Sequence, residues 1–300
     1  MKDTVLLTTD FSEVAAHAVP HAARLARALG APVRVLHVVD TIGYLGPDPR
    51  RAGDWQARVT GTVEERLADL AERLRAEGLE VVVRHRMGSP PVEIVREAAE
   101  GVCAIVMATH GYGGFRRLVL GSAATKVMRT APVPVLIVGP DSVDRDVRTI
   151  LAPVELDSAA AAALAAELDL AHAYGARVEL FNAVIPDVTP MVLAGAEPTF
   201  MPLTNTAEVI QRQATFEIGQ LARRAAESGL EVTTRVDVAS RAGDAILARA
   251  AEIGADLIVM RAHGHRGLSR LVLGSVTEEV VRHATLPVLV VKAPAPRAET

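Results

Sequence analysis

Along the first 140 residues the chain alternates between short unbroken apolar runs and longer stretches where apolar residues return every three or four positions. "TVLLTT", "VRVLHVV", "LEVVVRH", "CAIVMAT" and "VPVLIVG" have strand length and are rich in β-branched residues. Their near-continuous apolar character predicts strands covered on both faces, and so a parallel sheet. The Ala-, Leu- and Arg-rich stretches between them have helical period. "SEVAAHAVPHAARLARALG" is expected to start on Ser12 as N-cap and to stop at Gly30. "TVEERLADLAERLRAEG" is expected to run from a Thr62 cap to Gly78. Strand and helix in alternation predict right-handed crossover units and an α/β fold. In such sheets ligands sit at the carboxyl ends of the strands, where the strand order reverses.

The whole pattern then repeats. "TVLLTTDFSEVAAHAVPHAARLARALGAPVRVLHVVD" aligns with "TILAPVELDSAAAAALAAELDLAHAYGARVELFNAVI", with Gly30 matching Gly175. Further on, Gly78 matches Gly229 and Pro134 matches Pro287, so the second copy carries a few extra residues in its loops. The reading is two similar α/β domains, residues 1–140 and 147–294, each a five-stranded parallel sheet flanked by helices. The copies meet near the charged, turn-rich segment "GPDSVDRDVR", which contains Asp141 to Asp146. The segment 186–206, "PDVTPMVLAGAEPTFMPLTNT", is the extra loop. Its Pro, Met and apolar content fits a lid or a partner-binding loop, or a segment folded back on its own domain.

Composition narrows the functions available. Aromatic residues make up 3% of the 300 residues, too few for a platform on which nucleic-acid bases stack. The formal net charge of −4 argues against nonspecific binding to DNA or to anionic membranes. The single cysteine, Cys103, forms no internal disulfide and is expected to be buried in a strand. No secretory signal or membrane span is legible, so a cytoplasmic location is expected.

Each copy holds one glycine-rich loop of the same spacing. "ATHGYGGFRRLVLGS" spans Ala108 to Ser122, and "RAHGHRGLSRLVLGS" spans Arg261 to Ser275. In both, a strand runs into the loop, and the Gly-Ser pair opens a helix. A helix N-terminus offers unpaired N–H groups and about half a positive charge, and so attracts anions. Glycine lets a phosphate approach the backbone. Neither loop is a Walker loop or a G-x-G-x-x-G fingerprint. On the residues alone, a phosphate loop and a plain helix-capping connector both stand.

These loops, with the Asp-Phe-Ser start, resemble the universal stress protein family. The two copies together cover nearly the whole chain, as in its tandem-domain members. The family's nucleotide-binding branch carries G-x-x-G, nine residues and G-S/T after its fourth strand, and an Asp after its first. Gly111, Gly121 and Ser122 match in the first copy, and Gly264, Gly274 and Ser275 in the second. The first glycine of the pattern is replaced by Ala108 and by Arg261. The Asp matches Asp10; Glu155 stands there in the second copy. The family's backbone contact to adenine falls at Val38 and at Ala183. The resemblance implies fifth strands paired in an internal pseudo-dimer, with a homodimer of the whole chain left open. It also implies a stress-response protein that binds ATP or a related adenine nucleotide, with or without magnesium. Such a protein signals or scaffolds. A nucleotide-free interaction module and a slow ATPase are the alternatives.

His110 and His263 recur at one loop position, where they touch phosphate, orient the loop or bond to backbone. His17 and His21 stand four apart on the first helix, without an obvious third metal ligand, so they are expected on a solvated face. No nucleophile–base set has a recognisable spacing, so no catalytic residue is assigned. The first loop is expected to be the better site. Residues 1–145 hold 18 Lys+Arg and 17 Asp+Glu, against 14 and 19 in residues 146–300, and the more acidic copy repels a polyanion.

Overall fold

The computed structural model describes residues 3–41, 52–109, 120–157, 160–186, 203–262 and 273–292. The chain forms two compact units, Met1–Val147 with Met260–Thr300, and Arg148–Val259. In the first, the elements run β1 (Thr4–Thr8), α1 (Glu13–Ala16), α2 (Ala18–Leu29), β2 (Val33–Asp40), α3 (Ala52–Ala76), β3 (Val81–Gly88), α4 (Pro90–Ala98), β4 (Val102–Ala108), α5 (Ser122–Thr130) and β5 (Val135–Val138). The second contains β6 (Thr149–Pro153), α6 (Ala160–Tyr174), β7 (Arg177–Val184), α7 (Leu203–Ala226), β8 (Val232–Val238), α8 (Ala242–Glu252) and the start of β9 (Leu257–Ala262). After it come α9 (Ser275–His283) and β10 (Val288–Lys292), which belong to the first unit.

The first unit orders its strands β3-β2-β1-β4-β5-β10. β1 lies at the centre, parallel to β2 on one side and β4 on the other. Val5, Leu6 and Leu7 are fully buried, as a run apolar on both faces requires. The chain leaves β1 toward β2 and β3, then returns across to β4. The order therefore reverses between β1 and β4, which opens a crevice at their carboxyl ends. β10 pairs antiparallel with β5, Leu289 opposite Leu136, so the expected pairing of the fifth strands is present. That pairing covers an apolar edge whose residues Val135 to Val138 are buried. In the second unit the order is β9-β6-β7-β8, with every pair parallel.

Local signals explain the element ends. The Ser12 hydroxyl accepts the Ala15 N–H at 3.1 Å and caps α1. One expected helix becomes two, because Pro20 in the first turn of α2 has no N–H to offer the carbonyl four residues back. Gly30 ends α2 in the left-handed region at φ 59°, as does Gly78 after α3 at φ 83°.

Three expectations need correction. Thr62 is no cap: α3 begins ten residues earlier, and Thr62 lies in its interior. The cost of about 1 kcal/mol for a helical glycine at Gly61 does not stop a helix this long. His21 is not solvated: it is 5% exposed on the packed face of α2, while His17 stays exposed. Cys103 lies on β4 as expected but is half-buried, its thiol 3.4 Å from the Thr4 carbonyl.

Candidate functional site

The crevice at the end of β1 is built by a short run of local bonds. The Thr9 N–H continues the ladder to the Leu36 carbonyl at 3.0 Å, and its hydroxyl accepts the Phe11 N–H at 2.9 Å. Asp10 then turns outward. Its Oδ1 accepts both the N–H and the hydroxyl of Ser12, at 3.0 and 2.6 Å. Ser12 thus gives one carboxylate oxygen two donors while its own hydroxyl oxygen caps α1. This tight turn forces Phe11 to φ 60°, the left-handed region that a non-glycine residue rarely enters.

Phe11 is held there by two neighbours. Its ring stacks on His37 with centroids 4.6 Å apart, and the Arg66 guanidinium lies 5.2 Å from its centroid. His37 Nδ1 donates to the Thr9 carbonyl at 2.8 Å. Burial holds the His37 pKa below the usual imidazole value, partly offset by that hydrogen bond.

On the other side, β4 ends at Ala108, opposite Val138. The Thr109 N–H bonds to the Val138 carbonyl at 2.9 Å, and the Thr109 carbonyl accepts the Gly121 N–H at 2.8 Å. Those bonds bring the two ends of the glycine-rich loop together. Gly121 is the N-cap of α5, which has no side-chain cap, and Ser122 is its first residue. The amides of that first turn point where an anion can satisfy them.

Together these elements enclose a cavity of about 430 Å³, within the range of small-ligand sites. Five of the seven first-copy residues named from sequence line it: Asp10, Val38, Ala108, Gly121 and Ser122. His110 and Gly111 lie outside the described residues. Asp40, Pro90, Ile94 and Met107 also line the cavity and were missed. Asp40 was within reach of the sequence, because strand alternation puts it on the same face as Val38 two residues earlier. Pro90 and Ile94 needed the tertiary placement of α4. Among the described lining residues the only charged side chains are Asp10 and Asp40. The uncapped start of α5 is the described part of the wall that would favour an anion.

The absent first glycine has no backbone cost. Among the described residues Phe11 is the one non-glycine with positive φ, so Ala108 and Arg261 are ordinary strand positions. In the second copy, Gly274 caps α9 at φ −64°, ψ 145°, close to the −59°, 145° of Gly121, and Ser275 is the first helical residue. The Arg261 carbonyl accepts the hydroxyl of fully buried Thr277 at 3.0 Å. Ala183 lies on β7, and Glu155 follows β6. Those two belong to the Arg148–Val259 unit, and Arg261, Gly274 and Ser275 to the other. His263 and Gly264 lie outside the described residues, as does most of the extra loop. Among the described residues no three His, Cys, Asp or Glu side chains are placed to hold a metal ion. No helix among them is long and apolar enough to cross a membrane.

A model of the universal stress protein family matches residues 1–139 and 146–292. A universal stress protein of Mycolicibacterium smegmatis is 27% identical over 299 residues, covering 96% of each chain. One from Thermus aquaticus is 34% identical over 146 residues, 46% of this chain and 99% of its own. Among solved structures, a universal stress protein from Archaeoglobus fulgidus shares the fold with a TM-score of 0.71 at 23% identity, covering 97% of this chain and 98% of its own.

Proposed function

The chain belongs to the universal stress protein family, with two of its domains in tandem, and from that premise we propose that its first copy binds ATP or a related adenine nucleotide. The observation that carries this reading is the cavity at the switch point. It gathers Asp10, Val38, Ala108, Gly121 and Ser122 beside an uncapped helix start. The division of labour follows from the chemistry of each wall. The apolar side made by Leu36, Val38, Pro90 and Ile94 suits a flat base, which the free backbone of a strand end can read. Asp10, already anchored by Ser12, suits ribose hydroxyls. Phosphate oxygens suit the first-turn amides of α5 and the Ser122 hydroxyl. Magnesium carried by the phosphates keeps most of its water and asks one or two oxygens of the protein, which Asp10 and Ser122 can give.

The role we assign is signalling or scaffolding, not rapid turnover. The charged groups of the described wall are two carboxylates, Asp10 and Asp40, and we give them binding roles. A protein of this kind reports nucleotide state through its bound form, in a stress-response setting within the cytoplasm. The direct experiment denatures the purified protein and examines the supernatant by absorbance and mass spectrometry. Adenine nucleotide is expected, and its retention is expected to fail in Gly121→Val, where a branched side chain enters the phosphate end of the cavity. Full ATP affinity in that variant defeats the reading. So does hydrolysis at the rate of an ordinary enzyme, on the order of 10 per second, for the assignment of a non-catalytic role.

A further inference from the structure

The two copies carry the same ion pair between helix and sheet with its signs exchanged. In the first, Glu97 in the last turn of α4 is 1% exposed and lies between two arginines. Its Oε1 accepts from Arg34 Nη1 at 2.9 Å, and its Oε2 from Arg86 Nε at 2.6 Å. In the second, Arg249 on α8 meets Glu179 on β7, with Glu252 beside it on the same helix. Its Nε and Nη2 donate to the two carboxylate oxygens of Glu179 at 2.6 and 2.8 Å, and its Nη1 pairs with Glu252 at 2.8 Å.

The ladders fix the equivalence. Arg34 stands opposite Leu6 in β1, and Glu179 opposite Leu151 in β6, the matching residue of the repeat. Arg86 stands opposite Val38, and Asp237 opposite Ala183, so this flanking position is reversed as well. The apolar contacts of the two helices, by contrast, are the same. Ile94 and Ala98 of α4 and Ile246 and Ala250 of α8 are all buried, and each pair flanks its charged residue at the same spacing.

Burial alone does not ask for this exchange, because either sign arrangement satisfies either copy. A buried bridge is also a weak source of stability compared with apolar residues of the same volume. What the exchange changes is the outcome of a wrong docking. With matching Ile and Ala contacts, each sheet offers the other copy's helix an acceptable apolar fit. α8 on the first sheet would set Arg249 against Arg34 and Arg86. α4 on the second would set Glu97 against Glu179. Misassembly between repeats is a known hazard of tandem chains, where the tether keeps the local concentration of the wrong partner high.

We propose that the sign-inverted clusters are a recognition code through which each copy accepts its own helix and rejects its neighbour's as the chain folds. Attraction to the correct helix and repulsion of the wrong one then act together, as specificity between similar partners requires. The inference does not depend on any ligand.

The full chain tests it by refolding from denaturant. The yield is the fraction that regains the size-exclusion position and thermal transition of never-denatured protein. The triple variant R34E/R86E/E97R gives the first copy the signs of the second, and its yield is expected to drop several-fold. The counterpart E179R/D237R/R249E is expected to do the same. Combining all six changes restores opposite signs, and the yield is expected to return toward that of the unmodified chain. A purely local role predicts the reverse, with damage from the two triples accumulating. A one-copy inversion that refolds normally overturns the proposal, and so does a six-fold variant no better than either triple.

Discussion

The Phe11 ring lies against His37 at 4.6 Å and 27°, while the Phe11 backbone sits at φ 60°. A stacked ring therefore holds a strained turn next to Asp10. Left-handed backbone costs an ordinary residue about 1–2 kcal/mol, and an aromatic pair returns about 0.5–1.5 kcal/mol. Phe11→Ala keeps the strain and loses the stack, and is expected to destabilise the fold by about 1–2 kcal/mol. Phe11→Gly loses the stack but also relieves the strain, so it is expected to be more stable than Phe11→Ala by about 1 kcal/mol. Urea denaturation of the two variants checks the order. An alanine variant as stable as the glycine variant shows that the turn stores no strain.

Ser12 links the cavity-lining carboxylate of Asp10 to a helix start, and the two tasks separate by substitution. Ser12→Gly preserves an acceptable cap, at a cost of a few tenths of a kcal/mol, but removes the hydroxyl bond to Asp10 and leaves only the N–H contact. ATP affinity measured by calorimetry is expected to fall about fivefold to tenfold, the worth of one hydrogen bond, with stability nearly unchanged. Ser12→Thr keeps a hydroxyl and is expected to bind as the unmodified chain does. Undiminished affinity in the glycine variant removes Ser12 from the site.

The two loops are expected to be unequal. Titration with ATP is expected to give one nucleotide per chain, lost in Gly121→Val and kept in Gly274→Val. Arg261 brings a long side chain to the place of Ala108, and Glu155 is one methylene longer than Asp10. Two equal sites, or one that survives the Gly121 change, assign the nucleotide elsewhere.

His21 predicts an acid-sensitive fold. Its Nε2 is buried with no hydrogen-bond partner among the described residues, and its Nδ1 is 3.5 Å from Arg24 Nη1. Burial first, and then the charge of Arg24 and the neighbouring His17, lower its pKa from 6.5 to about 4, against a smaller opposing pull from Asp144. The unfolded chain takes up this proton below pH 6.5 and the folded chain only near pH 4. The contribution is therefore complete above pH 6.5 and falls as the pH drops toward 4, by about 3 kcal/mol in all. Unfolding free energies at pH 7, 5.5 and 4 are expected to show a shallower decline in His21→Leu. Parallel curves for the two proteins place the acid sensitivity in other groups.

The alternation of apolar runs and helical stretches made the strand order's raw material readable, because strands buried on both faces leave little room for polar residues. Capping was readable where one residue decides it, at Ser12 and Gly30. It failed at Thr62, where propensity favoured a start that the longer amphipathic helix overrode. His21 was misread because a helix face shows its exposure only once its neighbours are placed. At the cavity, Asp10, Val38, Ala108, Gly121 and Ser122 were named through the family resemblance, and they line it. Pro90 and Ile94 were not named, since α4 reaches the cavity only through the packing of β3 and β4. The ion pairs escaped notice for the same reason: Arg34 and Glu97 are far apart in sequence and meet only where α4 packs on the sheet.

The pairing of β10 with β5 also sets a timetable. β5 ends at Val138, yet the strand that covers it starts at Val288. At about 5–20 residues per second of synthesis, the ribosome needs roughly 8–30 seconds to make the intervening chain. Through that interval the nascent first half carries a bare apolar strand, open to any other extended segment nearby. The first half of the chain to be made is thus the last to be finished.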